Sequence, residues 1–111
     1  MKKFKSFFYI LVISLFITPV LANENGVDCL ILEDENSIIC KYTQERVDYE
    51  KVITIEWIEP TNNVTRTRQM TIPAFHGSVY DYRYKSGRTQ GTWTFKVIDG
   101  EKEYSTNFTI E

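Results

Sequence analysis

One histidine and two cysteines are the only imidazole and thiol groups in this chain of 111 residues. There is no C-x-x-C, and His76 lies far from Cys29 and Cys40, so neither a structural zinc site nor a redox pair can be assembled. Glycine (5) and proline (3) are sparse, which excludes collagen-like and linker-like segments. No internal repeat or low-complexity tract is present, and past residue 22 no sustained 3.6-residue apolar period appears. Positive charge is in deficit, with 13 Lys and Arg against 15 Asp and Glu. That balance argues against nucleic acid and anionic membrane as partners.

The single long apolar run is N-terminal. MKKFK carries Lys2, Lys3 and Lys5, the run Phe7 to Ala22 follows, and Val20 and Ala22 hold the small-residue positions a signal peptidase requires. At about 16 residues the run is short of the roughly 20 that cross a bilayer as a helix. Residues 1–22 are therefore expected to be a cleaved signal peptide, with no membrane span after cleavage. Cys29 is preceded by Val27-Asp28 and does not fit a lipid-anchor site. Removing 22 of 111 residues leaves 89, enough for one domain over 23–111. With the three lysines gone, ten basic residues face fifteen acidic ones, a net charge of −5. The short lysine-led leader is of bacterial type. It points to the periplasm, or alternatively to secretion.

Export makes a disulfide the expected state of two cysteines. CLIL, EDEN, SIIC reads as strand, four-residue loop, strand. Pairing Leu32 with Ser37 places Cys29 opposite Cys40. The rest of the chain alternates with period 2. Ile53, Ile55 and Trp57 share one face, followed by the turn cluster Glu59-Pro60-Thr61-Asn62-Asn63. In Val64 to Ile72, Thr65, Thr67 and Thr71 lie opposite Arg66, Arg68 and Met70. Tyr80, Tyr82 and Tyr84 alternate with Asp81, Arg83 and Lys85, and Ser86-Gly87-Arg88 turns the chain. Asp99-Gly100 is the strongest two-residue hairpin signal. It sets Ile98 against Glu101 and Phe95 against Tyr104, with Trp93, Phe95 and Val97 on the same face as Tyr104, Thr106 and Phe108. About seven short strands result. They predict an all-β, antiparallel, immunoglobulin-like sandwich, a small barrel being the other way to close them.

His76, Ser78 and Asp81 are the residues from which a catalytic triad would be drawn. Ser78 can share a face with His76, but Asp81 alternates to the opposite side. No G-x-S-x-G turn or glycine-rich loop supplies an oxyanion hole. Ala74 to Ser78 is expected to be a loop and Val79 to Lys85 a strand. The acidic stretch Glu24 to Glu35 lacks the D-x-D-x-D-G spacing of a calcium loop. No catalytic residue, metal or cofactor is assigned. Asn63-Val64-Thr65 and Asn107-Phe108-Thr109 match the glycosylation acceptor pattern, which threonine-rich strands readily generate.

The stripe Tyr80, Tyr82, Tyr84 has two readings. Its rings can line the sandwich core with hydroxyls at the rim, the expectation adopted here for so small a domain. Or they can form an exposed surface that stacks on sugars or grips a protein, with Arg66, Arg68 and Arg83 as an anion patch beside them.

From Trp57 onward the layout resembles a known family. ITIEWIEP, RTRQM, YDYRYKSGR and GTWTFKV are followed by an Asp-Gly turn and a closing Phe-Thr-Ile. This ending looks like the last hairpin of immunoglobulin-like domains in bacterial envelope proteins, in particular the domain of unknown function DUF2914, over roughly residues 57–110. The resemblance implies a sandwich and an envelope role, with no catalytic residues. The expectation is a binding or accessory module whose partner is another envelope or secreted protein. The alternatives are a hydrolase inhibitor, inserting a loop such as Glu33 to Asn36 or Ala74 to Ser78, and a carbohydrate-binding module.

Overall fold

A computed structural model of the chain describes residues 25–111. The leader read over residues 1–22 lies outside them. Seven strands form two antiparallel sheets: β1 (Gly26–Leu32), β2 (Ser37–Thr43), β3 (Lys51–Ile58), β4 (Val64–Ile72), β5 (Ser78–Tyr84), β6 (Gly91–Asp99) and β7 (Lys102–Ile110). One sheet has the order β1-β2-β5 and the other β4-β3-β6-β7. The chain leaves β2 for the second sheet and returns with β5. It then crosses again to lay β6 beside β3, so the two layers are interlocked as in an immunoglobulin-like sandwich. Among the described residues no helix is long and apolar enough to cross a membrane.

Strict alternation builds the core. Ile53, Ile55 and Trp57 of β3 meet Trp93, Phe95 and Val97 of β6, with Ile38, Cys40 and Tyr42 entering from the other sheet. The aromatics interlock edge to face: the Trp57 ring lies 5.3 Å from Phe95 and 5.8 Å from Phe108 between centroids. The Trp93 indole N–H, which burial would otherwise orphan, donates to the Thr89 carbonyl at 2.8 Å.

The Cys29–Cys40 bridge is present, in the register that the four-residue loop sets, with Leu32 opposite Ser37. It staples one hairpin and does not join the two sheets. Alkylation of the purified protein should find no free thiol before reduction and two after it. The Cys29→Ala/Cys40→Ala variant should lose about 2.5–3 kcal/mol of unfolding free energy. An unchanged urea midpoint would contradict this.

The last hairpin departs from expectation by two residues. Asp99 pairs with Lys102, Val97 with Tyr104 and Phe95 with Thr106, so the loop is Gly100-Glu101. A shift of two keeps every side chain on its face, and the shared face of Trp93, Phe95, Val97, Tyr104, Thr106 and Phe108 stands. The cause is Asp99, whose carboxylate accepts from the Tyr42 hydroxyl at 2.8 Å and from Lys51 Nζ at 2.7 Å. Held there, Asp99 remains a strand residue. Gly100, at φ 64, takes the first loop position that needs positive φ.

Burial, reinforced by the hydrogen bond to Asp99 and its charge, pushes the Tyr42 phenol far above its usual range. A raised phenol stabilises the fold while it stays protonated. The contribution is complete below the unfolded value of about 10 and is lost as pH climbs beyond it, where unfolded chains release a proton that folded ones keep. Unfolding free energy should therefore fall more steeply above about pH 10 in the native protein than in Tyr42→Phe. Parallel pH profiles would contradict the assignment.

Candidate binding surface

The outer faces of the two sheets differ in kind. The β4-β3-β6-β7 face is mostly polar and paired with itself, Val52 being an exposed apolar residue on it. Thr92 meets Thr109 at 3.3 Å, Thr94 donates to Asn107 at 2.9 Å, and Lys96 pairs with Glu103 at 3.5 Å. The β1-β2-β5 face is aromatic and apolar. Tyr80, Tyr82 and Tyr84 project from it with 55–62% of their surface exposed. This overturns the expectation that the tyrosine stripe lines the core. Leu30 and the half-buried Ile39 stand in the same cross-strand row as Tyr82, and Lys41 lies 5.9 Å from the Tyr80 ring. An apolar patch with a polar opposite face is the usual mark of a contact surface.

The reason for the inversion lies in register. Cys40, wholly buried, pairs with Asp81 of β5. An inward Cys40 makes its neighbour Asp81 inward, and the tyrosines on either side must point out. The buried carboxylate is satisfied from the other sheet. Oδ2 accepts from the Trp57 indole N–H at 2.8 Å, Oδ1 accepts from Arg68 Nη1 at 2.6 Å, and Arg66 Nη1 reaches both at 3.3–3.4 Å. Only 3% of the Asp81 side chain is exposed, against 34% for Arg66 and 49% for Arg68. This clasp ties β4 to β5, an edge strand of each sheet. A cleft of about 290 Å³ opens above it between Arg66, Arg68, Asp81, Tyr82 and Tyr84.

Arg83, two residues along β5, also points inward. Its guanidinium lies 5.4 Å from the Trp57 ring, and its Nη1 donates to the Thr65 hydroxyl at 3.0 Å. Thr65 is the extra residue of a bulge, where Trp57 pairs with Arg66 but Ile58 with Val64. Bulges re-aim a side chain in this way. Burial first, then the nearby Arg88 and Arg66, makes Arg83 hold its proton less tightly than usual. Its buried Nε has no hydrogen-bond partner among the described residues. Stacking on Trp57 contributes about 0.5–2 kcal/mol, and an unmet buried donor costs about 1–3 kcal/mol, so the two offset. Arg83→Met should leave the unfolding free energy, measured in urea, within about 1 kcal/mol of native. A loss above about 2 kcal/mol would make Arg83 a structural requirement.

The sequence candidates Tyr80, Tyr82, Tyr84, Arg66, Arg68 and Arg83 thus come together on one side of the sandwich. Sequence reasoning missed two members: Asp81, which organises the arginines, and Leu30, which extends the aromatic patch across β1. Arg66 and Arg68 pair with the inward Trp57 and Ile55, and two inward arginines call for an inward acid, but that inwardness was not legible in the sequence.

His76, Ser78 and Asp81 do not assemble. His76 is exposed on the Pro73 to Gly77 loop, and its ring makes no hydrogen bond with the described residues. Asp81 is committed to Trp57 and two arginines. Among the described residues no group of three or more His, Cys, Asp or Glu side chains is arranged to hold a metal ion. No protein-family model matches the chain, and no curated protein matches it.

Proposed function

We propose that the protein is an exported, non-enzymatic binding or accessory module of the bacterial cell envelope. It acts in the periplasm, and its partner is another envelope or secreted protein. One observation carries the reading. Three tyrosines and Leu30 stand exposed beside a cleft where Arg66 and Arg68 hold a single buried carboxylate, with Arg83 behind it and Arg88 near Arg83. In a domain of net negative charge this concentration of guanidinium is local. Aromatic and arginine side chains are the residues that most often dominate protein contacts. The hairpin disulfide and the resemblance to DUF2914 support the envelope setting.

The test is chemical crosslinking in intact source cells expressing the tagged mature domain, followed by mass spectrometry of the captured material. A dominant envelope or secreted protein, lost in Tyr82→Ala/Arg68→Ala, is expected. Identical capture by both forms, or none by either, would contradict the reading. Binding of glycans dependent on Tyr82 would replace it with a carbohydrate-binding module.

A second reading, inhibition of a hydrolase by an inserted loop, is favoured by Phe75. This residue is 64% exposed and holds a left-handed backbone, φ 68, that a bulky side chain rarely adopts. The conformation is clamped, since Phe75 N–H donates to the Val47 carbonyl at 2.7 Å and its own carbonyl accepts from Arg46 at 3.1 Å. A strained, braced loop that presents a ring to solvent suits insertion into a pocket.

A further inference from the structure

The binding surface ends at two strand edges, and their chemistry restricts what can dock there. β5 pairs only with β2, and β4 only with β3, so no strand covers the outer edge of either among the described residues. Uncovered edges recruit other chains unless something deters them, and inward-pointing charges are a common deterrent. Asp81 and Arg83 of β5, with Arg66 and Arg68 of β4, are such charges. They are not balanced. The three arginines, with Arg88 close enough to disfavour the Arg83 charge, face one carboxylate. That carboxylate is already taken by Trp57, Arg66 and Arg68. Arg68 keeps about half its surface in water, and the Arg83 Nε donor is unmet.

We infer that the β5 edge accepts an extended acidic segment of a partner protein as an added strand. The inference rests on the proposed binding role and specifies its mode. A strand laid beside β5 lies roughly 4.8 Å away and sends alternate side chains to opposite faces. One set enters the seam between the sheets, where Arg66, Arg68 and Arg83 donate to its carboxylates. The other set lies outside, against Tyr80, Tyr82 and Tyr84. The segment is therefore acidic at every second position and apolar or aromatic between. The cationic excess bars basic strands, and the buried charges bar strands apolar on both faces. Arg88 Nε caps the Tyr84 carbonyl at 3.0 Å, which marks where the added strand stops. A second copy of the chain fits poorly as the donor. β1, its other short edge strand, carries Asp28 as its single acid and has Leu30 and Leu32 at the next alternate positions.

The probe is a synthetic nine-residue peptide alternating glutamate with valine, titrated into the mature protein and followed by backbone and arginine side-chain NMR. Two controls accompany it: lysine in place of glutamate, and the original composition with its glutamates clustered. Shifts in β5 amides and in Arg68 Nε, seen with the alternating peptide alone and weakened at least tenfold by Arg68→Glu, are expected. Equal binding of the clustered peptide, or shifts in the arginines with silent β5 amides, would overturn strand addition in favour of plain anion binding. β5 shifts that grow with protein concentration in the absence of peptide would overturn it in favour of self-pairing. Failure of the peptide while crosslinking still captures a Tyr82-dependent partner would overturn this inference alone. Absence of that capture as well would remove the binding reading beneath it.

Discussion

Asp81→Ala is expected to lower unfolding free energy by about 3 kcal/mol, as large as any single change outside the apolar core. The alanine removes the acceptor of the Trp57 indole N–H and leaves Arg66 and Arg68 facing Arg83 with no counter-charge. The loss stays at the lower end for a broken buried pair because both β4 arginines retain contact with water and solvent recovers part of their charge energy. For a domain of this size that corresponds to a fall in Tm on the order of 12–20 °C. Asp81→Asn, which can still accept from Trp57 but carries no charge, should lose about half as much. Urea unfolding of the three proteins checks both values. An Asp81→Ala midpoint close to native would mean that the clasp does not hold the edges together.

Trp57→Ala should be at least as damaging, at about 3–5 kcal/mol. Trp57 is fully buried, packs edge to face on Phe95 and Phe108, donates to Asp81 and underlies Arg83. Truncation opens a cavity in the centre of the core and withdraws the clasp's apolar floor. Trp57→Phe separates the two roles. It keeps a ring against Phe95 and Phe108 but removes the N–H donor, so the expected loss is smaller, about 1–2 kcal/mol. Equal losses in the alanine and phenylalanine variants would place the whole contribution in the hydrogen bond, contrary to the packing seen.

How far the sequence could be read depended on how local the deciding interactions were. The Cys29–Cys40 hairpin was legible because a four-residue loop fixes its own register. β3 and β6 were legible because each alternates strongly apolar with polar residues. The Asp99-Gly100 hairpin came out two residues off because the decision rests with Tyr42 and Lys51, which lie 57 and 48 positions away. β5 shows the limit most clearly. In YDYRY both faces are plausible as the inner one, since hydrophobicity places tyrosine inside and solvation places charge outside. The outcome is set by the Cys40–Asp81 pairing and by donors on β3 and β4, none of them adjacent in sequence. The candidate residues do lie near one another, while the orientation expected for the tyrosines was inverted. Leu30 was invisible because a lone exposed leucine carries no signal until its cross-strand neighbours are known.

The inversion also bears on function. Asp81 gathers two arginines, with Arg83 beside them, at a seam where an apolar pair of strands would have packed without unmet donors. Buried charge of this kind is weak evidence for stability. In this domain it holds guanidinium groups at an edge and turns three tyrosines toward the solvent, the arrangement on which the proposed recognition role rests.

The most direct measurement is site-specific photocrosslinking in the source cells, with the photoreactive residue placed in turn at positions 80, 82 and 84 of β5 and at 52 and 109 on the opposite face. Adducts to one envelope or secreted protein are expected from the β5 positions, absent from 52 and 109 and abolished by Arg68→Glu. Adducts of equal yield from both faces, or adducts only from 52 and 109, would contradict the proposed recognition role.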